Sequence, residues 1–169
     1  PLNHRIPCAG YLFAEKPKKR RIIKDKLPEN FSVKNIVKLK NGEDIYDGDG
    51  NIIYHHTQMT LPPKRVYKYA FCSDTKYDES IIPIIQDADM LYHETTFMEE
   101  HEDRASNTYH STTKQAATIA KKANVGMLLM GHFSIRYKEL EPLKVEAQSV
   151  FPNSQLAIEG EDFILDDIS

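Results

Sequence analysis

The stretch Ser111-Thr112-Thr113-Lys114-Gln115-Ala116-Ala117-Thr118-Ile119-Ala120-Lys121-Lys122-Ala123-Asn124-Val125-Gly126-Met127-Leu128-Leu129-Met130-Gly131-His132 sets a helix directly before a strand. Ser111, Thr112 and Thr113 offer N-cap hydroxyls, and Gln115 stands where it can reach back in a capping box. Ala116, Ala117, Ile119, Ala120 and Ala123 then form one apolar stripe, so a helix over 111–124 is predicted to pack closely on a sheet through small side chains. The apolar run over 125–130 is the strand, and it delivers His132 just past its carboxyl end. The same rhythm extends outward in both directions. Strands are predicted at 65–72 and 89–93, helices at 78–87 and 140–151, and two short closing strands at 155–158 and 162–165. Near the start of the chain, Ile6 to Ala14 reads as a core strand. Repeated strand-then-helix units predict an α/β fold in which helices cover a sheet.

The chain has 169 residues, enough for one domain but not for two large ones. Its 40% hydrophobic and 28% charged residues place it in the ordinary globular class. Two cysteines, Cys8 and Cys72, make neither a disulfide framework nor a Cys-x-x-Cys metal or redox pair, so a reduced, cytoplasmic protein is expected. No apolar run approaches the roughly 18–20 residues needed to span a bilayer, which argues against a membrane protein. The start at Pro1, almost at once followed by a strand, gives the expectation of a fragment.

The net charge of −3 conceals an asymmetry. Lys16, Lys18, Lys19, Arg20, Arg21, Lys24, Lys26, Lys34, Lys38 and Lys40 face only Asp25 and Glu29 within that span, a local excess of eight positive charges. Such a block in an acidic chain is either the footprint of a polyanion or a solvated loop. Val33, Ile36, Val37 and Leu39 lie at near-helical spacing, and Asn41-Gly42, Asp47-Gly48-Asp49-Gly50-Asn51 and Pro62-Pro63 mark small hairpins. The segment 16–63 therefore reads as a structured basic arm inserted into the domain.

Polar residues gather at predicted strand ends, where α/β sheets collect their ligands. Asp74 follows the strand that ends at Cys72, His93 and Glu94 follow Met90-Leu91-Tyr92, and His132 follows Met130-Gly131, while His110 precedes the Ser111 helix. An Asp and several His in such places have the donors of a metal site. The plainer readings are a helix cap for Asp74 and structural imidazoles for His110 and His132. His55, His56 and His101 lie in polar surroundings and read as surface residues.

Together these strings resemble the ribonuclease Z family of the metallo-β-lactamase superfamily. Ser73-Asp74-Thr75, His93-Glu94-Thr95-Thr96-Phe97, His110-Ser111-Thr112-Thr113 and Gly131-His132-Phe133-Ser134-Ile135-Arg136-Tyr137 follow the family's order and spacing, as does the opening His4-Arg5-Ile6-Pro7-Cys8. The resemblance implies half of a four-layer αβ/βα sandwich, with a mixed or mainly antiparallel sheet covered on one face by the helices near Ser111 and Leu140. It also implies a zinc-dependent endoribonuclease that removes 3′ trailers from precursor tRNA with two Zn²⁺ ions per intact site. His4, Asp74 and His132 correspond to metal ligands, Asp74 being the carboxylate between the ions. His110, held by Glu94, and Arg136 correspond to residues acting at the scissile phosphate. Lys18, Lys19, Arg20, Arg21, Lys24 and Lys26 would bind RNA from the arm, and a homodimer would bring one copy's arm to the other's site.

Two departures qualify that picture. No His-x-His-x-Asp-His segment, the superfamily's main source of ligands, occurs in these residues, so the chain reads as the carboxyl-terminal half and is expected to be inactive alone. The arm reads Lys26-Leu27-Pro28-Glu29-Asn30-Phe31 and lacks the family's frequent Gly-Pro tip. A different phosphodiesterase of the superfamily, or a non-catalytic tRNA-binding or dimerisation fragment, are the competing readings.

Overall fold

The computed structural model describes residues 1–165. In chain order its main elements are β1 (Tyr11–Ala14), β2 (Arg21–Ile22), α1 (Val33–Lys40), β3 (Ile45–Tyr46), β4 (Ile52–Tyr54), α2 (His56–Met59), β5 (Thr60–Leu61), β6 (Lys68–Cys72), α3 (Ile82–Ile85), β7 (Met90–Glu94), α4 (Glu102–Thr108), α5 (Thr113–Lys122), β8 (Met127–Gly131), α6 (Glu141–Gln148) and β9 (Ser154–Leu156). They divide into two compact units, one formed by Pro1–Ala14 with the chain from Tyr67 onward, the other by Glu15–Val66.

The first unit is a five-stranded mixed sheet in the order β1-β6-β7-β8-β9. β6, β7, β8 and β9 run parallel, and β1 is antiparallel to β6 at one edge. Register aligns Ala70 with Leu91 and Leu128, and Cys72 with His93 and Met130. Because side chains alternate along a strand, these residues share one face. They form a buried core with Ala116, Ala117, Ile119, Ala120 and Ala147 from α5 and α6. The capping box closes as the sequence predicts: Gln115 N donates to Thr112 Oγ1, and Thr112 N donates to Gln115 Oε1. All five residues of the stripe, Ala116, Ala117, Ile119, Ala120 and Ala123, have zero exposure, so the small side chains do bring helix and sheet into close contact.

The opposite face carries Tyr11, Phe13, Tyr69, Phe71, Tyr92 and Leu129 by the same alternation. Phe13 stacks on Tyr69 at 6.0 Å between ring centres and Phe71 on Tyr92 at 4.7 Å. This face is therefore apolar and aromatic, and Tyr11 and Phe13 on it remain more than half exposed.

Three predicted elements change. The strand expected over 6–14 forms only at β1, an exposed edge strand and not a core one. The helix expected over 78–87 breaks into a 3-10 turn at Glu79–Ile81 and the single turn α3, because Pro83 lacks the N–H that a continuous helix needs and instead sits at the start of a new one. The second closing strand at 162–165 does not form; after the turn at Gly160, with φ of +85°, residues 161–164 take no regular structure.

The second unit has a small core of its own, Leu39, Ile45 and Met59, flanked by Ile22, Leu27, Phe31 and Tyr54. Ser32 caps α1, accepting from Asn35 N at 3.2 Å. Val33 and Val37, expected on a packed stripe, are exposed, and Leu39 alone of that helix is fully buried. β3 and β4 form the expected hairpin, its turn tied by Asp47 Oδ1, which accepts from the backbone N–H of Asp49 and Asn51. Several basic side chains brace this unit. Arg20 Nε donates to Thr60 Oγ1, Arg21 Nε to Pro62 O and Lys26 Nζ to Gln58 O, all neutral acceptors that leave the charge uncompensated. Lys18 pairs with Glu15 at 2.7 Å. Lys19 and Lys24 are exposed.

Candidate metal centre

The ends of β6 and β8 and the loop before α5 meet at one place. Asp74, His110 and His132 each present a donor atom, and the three atoms lie within 4.8 Å of one another. His132 Nε2 is 3.5 Å from Asp74 Oδ1, and the His110 and His132 rings are 5.2 Å apart. His4, expected among the ligands, stands outside that tight group but with its ring 5.4 Å from that of His110. A cavity of about 420 Å³ joins these four residues to Arg5, Asn107, Thr108 and Tyr109. His132 and Tyr109 both hold left-handed backbone conformations, with φ of +60° and +61°, which few non-glycine residues adopt outside sites that need them.

Hydrogen bonds fix which ring nitrogen each histidine presents. Glu94 has zero exposure and accepts five donors: Thr75 N, His110 Nδ1 and Ser111 N at Oε1, and Thr96 N and Thr96 Oγ1 at Oε2. Thr96 Oγ1 gives its single proton to Glu94, so its contact with His132 Nδ1 at 2.9 Å must be an acceptance. His132 Nδ1 is therefore a donor, and Nε2 faces the Asp74 carboxylate. His4 Nδ1 likewise donates to the Tyr109 carbonyl at 3.0 Å. His110 Nδ1 donates to Glu94 at 3.0 Å. Three imidazoles thus have Nδ1 anchored and Nε2 available, the arrangement by which outer hydrogen bonds orient metal-binding histidines.

The hydrogen bond to Glu94 holds the His110 ring above the ordinary imidazole value, against the opposing effect of partial burial. His93 behaves in the reverse way. Burial drives its pKa below the usual range, and its Nδ1 donates to the Glu94 carbonyl at 2.7 Å, so it is a neutral structural residue.

The cap expected as the plainer role of Asp74 falls to Asp78, which accepts from Ser80 N at 2.9 Å. Arg136 is absent from the cavity wall; its guanidinium carbon lies 5.2 Å from the ring centre of Phe97, whose ring is in turn 6.3 Å from that of His110. His55 and His56, read as surface residues, both face Asp44, at 3.4 and 2.7 Å. His101 is half-buried against Phe97. Sequence reasoning passed over Thr96, whose hydroxyl sets the His132 tautomer, and Tyr109, whose carbonyl sets that of His4; no residue-type signal marks a backbone carbonyl, whereas Thr96 lay inside a string already singled out.

No protein-family model matches the chain. Over 99% of its length it is 48% identical to ribonuclease Z of Cytophaga hutchinsonii, covering 53% of that protein. It is 47% identical to ribonuclease Z of Parabacteroides distasonis over 95% of this chain and 53% of the relative, and 49% identical to that of Porphyromonas gingivalis over 89% and 50%. The chain spans about half the length of the curated relatives it matches. Among solved structures, the metallo-β-lactamase fold protein YhfI of Bacillus subtilis superposes with a TM-score of 0.53 at 28% identity, over 56% of this chain and 39% of that one. A long-form RNase Z from yeast shares the fold, with a TM-score of 0.51 at 24% identity over 58% and 13%.

Proposed function

We propose that this chain, 47–49% identical to about half of each of several ribonuclease Z proteins, carries part of the active site of a metal-dependent endoribonuclease that trims 3′ trailers from precursor tRNA. The observation that carries this reading is the convergence of Asp74, His110 and His132 donor atoms within 4.8 Å, with His132 Nε2 held 3.5 Å from Asp74 Oδ1. An imidazole nitrogen and a carboxylate oxygen converging from two strand ends are donors that suit Zn²⁺. Asp74 and His132 would hold it, with His4 serving a second ion. When bound, such ions polarise the phosphodiester and activate the attacking water.

The chain's own residues do the rest. Glu94 fixes the His110 ring and keeps a proton on it toward neutral pH, so that Nε2 can donate to a phosphate oxygen or to the leaving group. Arg136 supplies a positive charge beside the same phosphate. The basic unit Glu15–Val66, with Lys18, Lys19, Arg20, Arg21, Lys24 and Lys26, adds affinity through backbone phosphates that carry little sequence information. A homodimer in which one copy's basic unit serves the other's site, and a cytoplasmic setting in keeping with two free cysteines, complete the proposal.

With no His-x-His-x-Asp-His segment among its 169 residues, the chain alone holds an incomplete ligand set. It is therefore expected to bind zinc weakly and to cleave little, retaining RNA affinity. The test is calorimetric zinc titration with precursor-tRNA cleavage, on this chain and on a version extended to the length of its relatives, each with Asp74→Ala. Asp74→Ala should lower zinc affinity at least tenfold in the extended protein and abolish cleavage. Cleavage that survives the substitution overturns the reading, as does robust cleavage by this chain alone.

A further inference from the structure

Phe97 is flanked by two arginines that lack a carboxylate partner. The guanidinium carbons of Arg136 and Arg104 lie 5.2 and 6.0 Å from its ring centre. Among the described residues neither makes an ion pair, and both side chains are exposed, although Phe97 itself is only 5% exposed.

The backbone holds this group to the metal-binding residues. Phe97 N donates to Ser111 O at 3.3 Å and Thr113 N to Phe97 O at 2.9 Å, tying the ring to the segment that bears His110. His110 N donates to Ala105 O at 2.8 Å, which tethers α4, and with it Arg104, to the same segment. Met98 N donates to the Tyr137 hydroxyl at 2.9 Å and Ser134 N to Thr96 O at 3.1 Å, which anchors the loop of Arg136. The two cations are thus brought to one ring by separate elements, each fixed to the strand end that follows β7.

Two like charges held at one ring repel, and the attraction of the phenyl ring for each cation opposes that repulsion. An anion with several acceptor oxygens relieves it, and the planar fork of a guanidinium matches a phosphate better than an ammonium does. We infer that Arg104 is a substrate-binding residue that works with Arg136 to grip a backbone phosphate of the RNA beside the site. The inference rests on the reading of the substrate as RNA.

Each phosphate contact contributes to the salt dependence of binding, which gives a readout independent of catalysis and of metal loading. Labelled precursor tRNA is titrated with this chain by fluorescence anisotropy between 50 and 200 mM salt. Arg104→Ala should weaken binding roughly threefold at 50 mM and reduce the slope of log K against log salt by about 0.7–0.9, the share of one phosphate. Arg104→Lys should keep the slope, since the charge remains. An Arg104→Ala slope equal to that of the wild type overturns the inference and leaves the RNA reading intact. A wild-type chain that binds no precursor tRNA overturns both.

Discussion

His93 and Glu94 are neighbours on β7, both essentially without exposure, and they ask opposite things of the solvent. Glu94 has both carboxyl oxygens hydrogen-bonded, whereas burial pushes the His93 imidazole below its ordinary value. A group whose folded pKa is depressed by burial takes up protons more readily in the unfolded chain, so it removes stability as pH falls below the unfolded value of about 6.5. Between pH 7 and pH 5 His93 should therefore lower stability by up to about 1.4 kcal/mol per pH unit, and His93→Gln should remove that increment. Urea denaturation of both proteins across this range checks it; equal pH slopes would show that His93 does not titrate on unfolding. At this scale the sequence is informative where position carries the signal. Asp74 and His132 were visible because each ends an apolar run, and their placement within 3.5 Å follows from parallel strands that end together. Glu94 was visible as a strand-end residue and as a partner of His110, but not as a buried hub. A glutamate that accepts five donors in the interior defies the usual exposure of its residue type, and nothing local announces the Thr75 and Ser111 amides that make it possible.

Among the elements, α5 was the most legible because its start, stripe and stop are all local chemistry. Thr112 Oγ1 accepts from Gln115 N and donates to Glu99 Oε2 at 2.7 Å, so one hydroxyl caps the helix and holds the turn before α4. Thr112→Ala should cost about 1–2 kcal/mol, and Thr112→Ser should recover most of it, measured by thermal or urea unfolding. A loss shared equally by both variants would assign the cost to the methyl group instead. The elements that misled did so for equally physical reasons. Pro83 divides the 78–87 helix, and β1 is apolar throughout yet lies at a sheet edge, where hydrophobicity no longer means burial. Val33 and Val37 have helical spacing, yet a helix of eight residues over a core of three side chains cannot bury them.

At the scale of the molecule, two cores stand in two compact units. The basic, turn-rich character of 16–63 was plain in the sequence, but its core was not, because Leu39, Ile45 and Met59 come from three short elements with no shared period. Leu39→Ala should cost about 2–5 kcal/mol within that unit. Hydrogen exchange should then show lost amide protection across Glu15–Val66 and unchanged protection in β6, β7 and β8; equal loss in both would mean that the two cores unfold as one. The buried carboxylate of Glu94 has a consequence in time. Its donors Ser111 N and His110 Nδ1 lie 17 and 16 residues further along the chain. On a ribosome that interval lasts about one to three seconds at 5–20 residues per second. Until it has passed, the end of β7 must stay hydrated, and the joining of the loops after β6 and β7 waits for the segment before α5 to emerge.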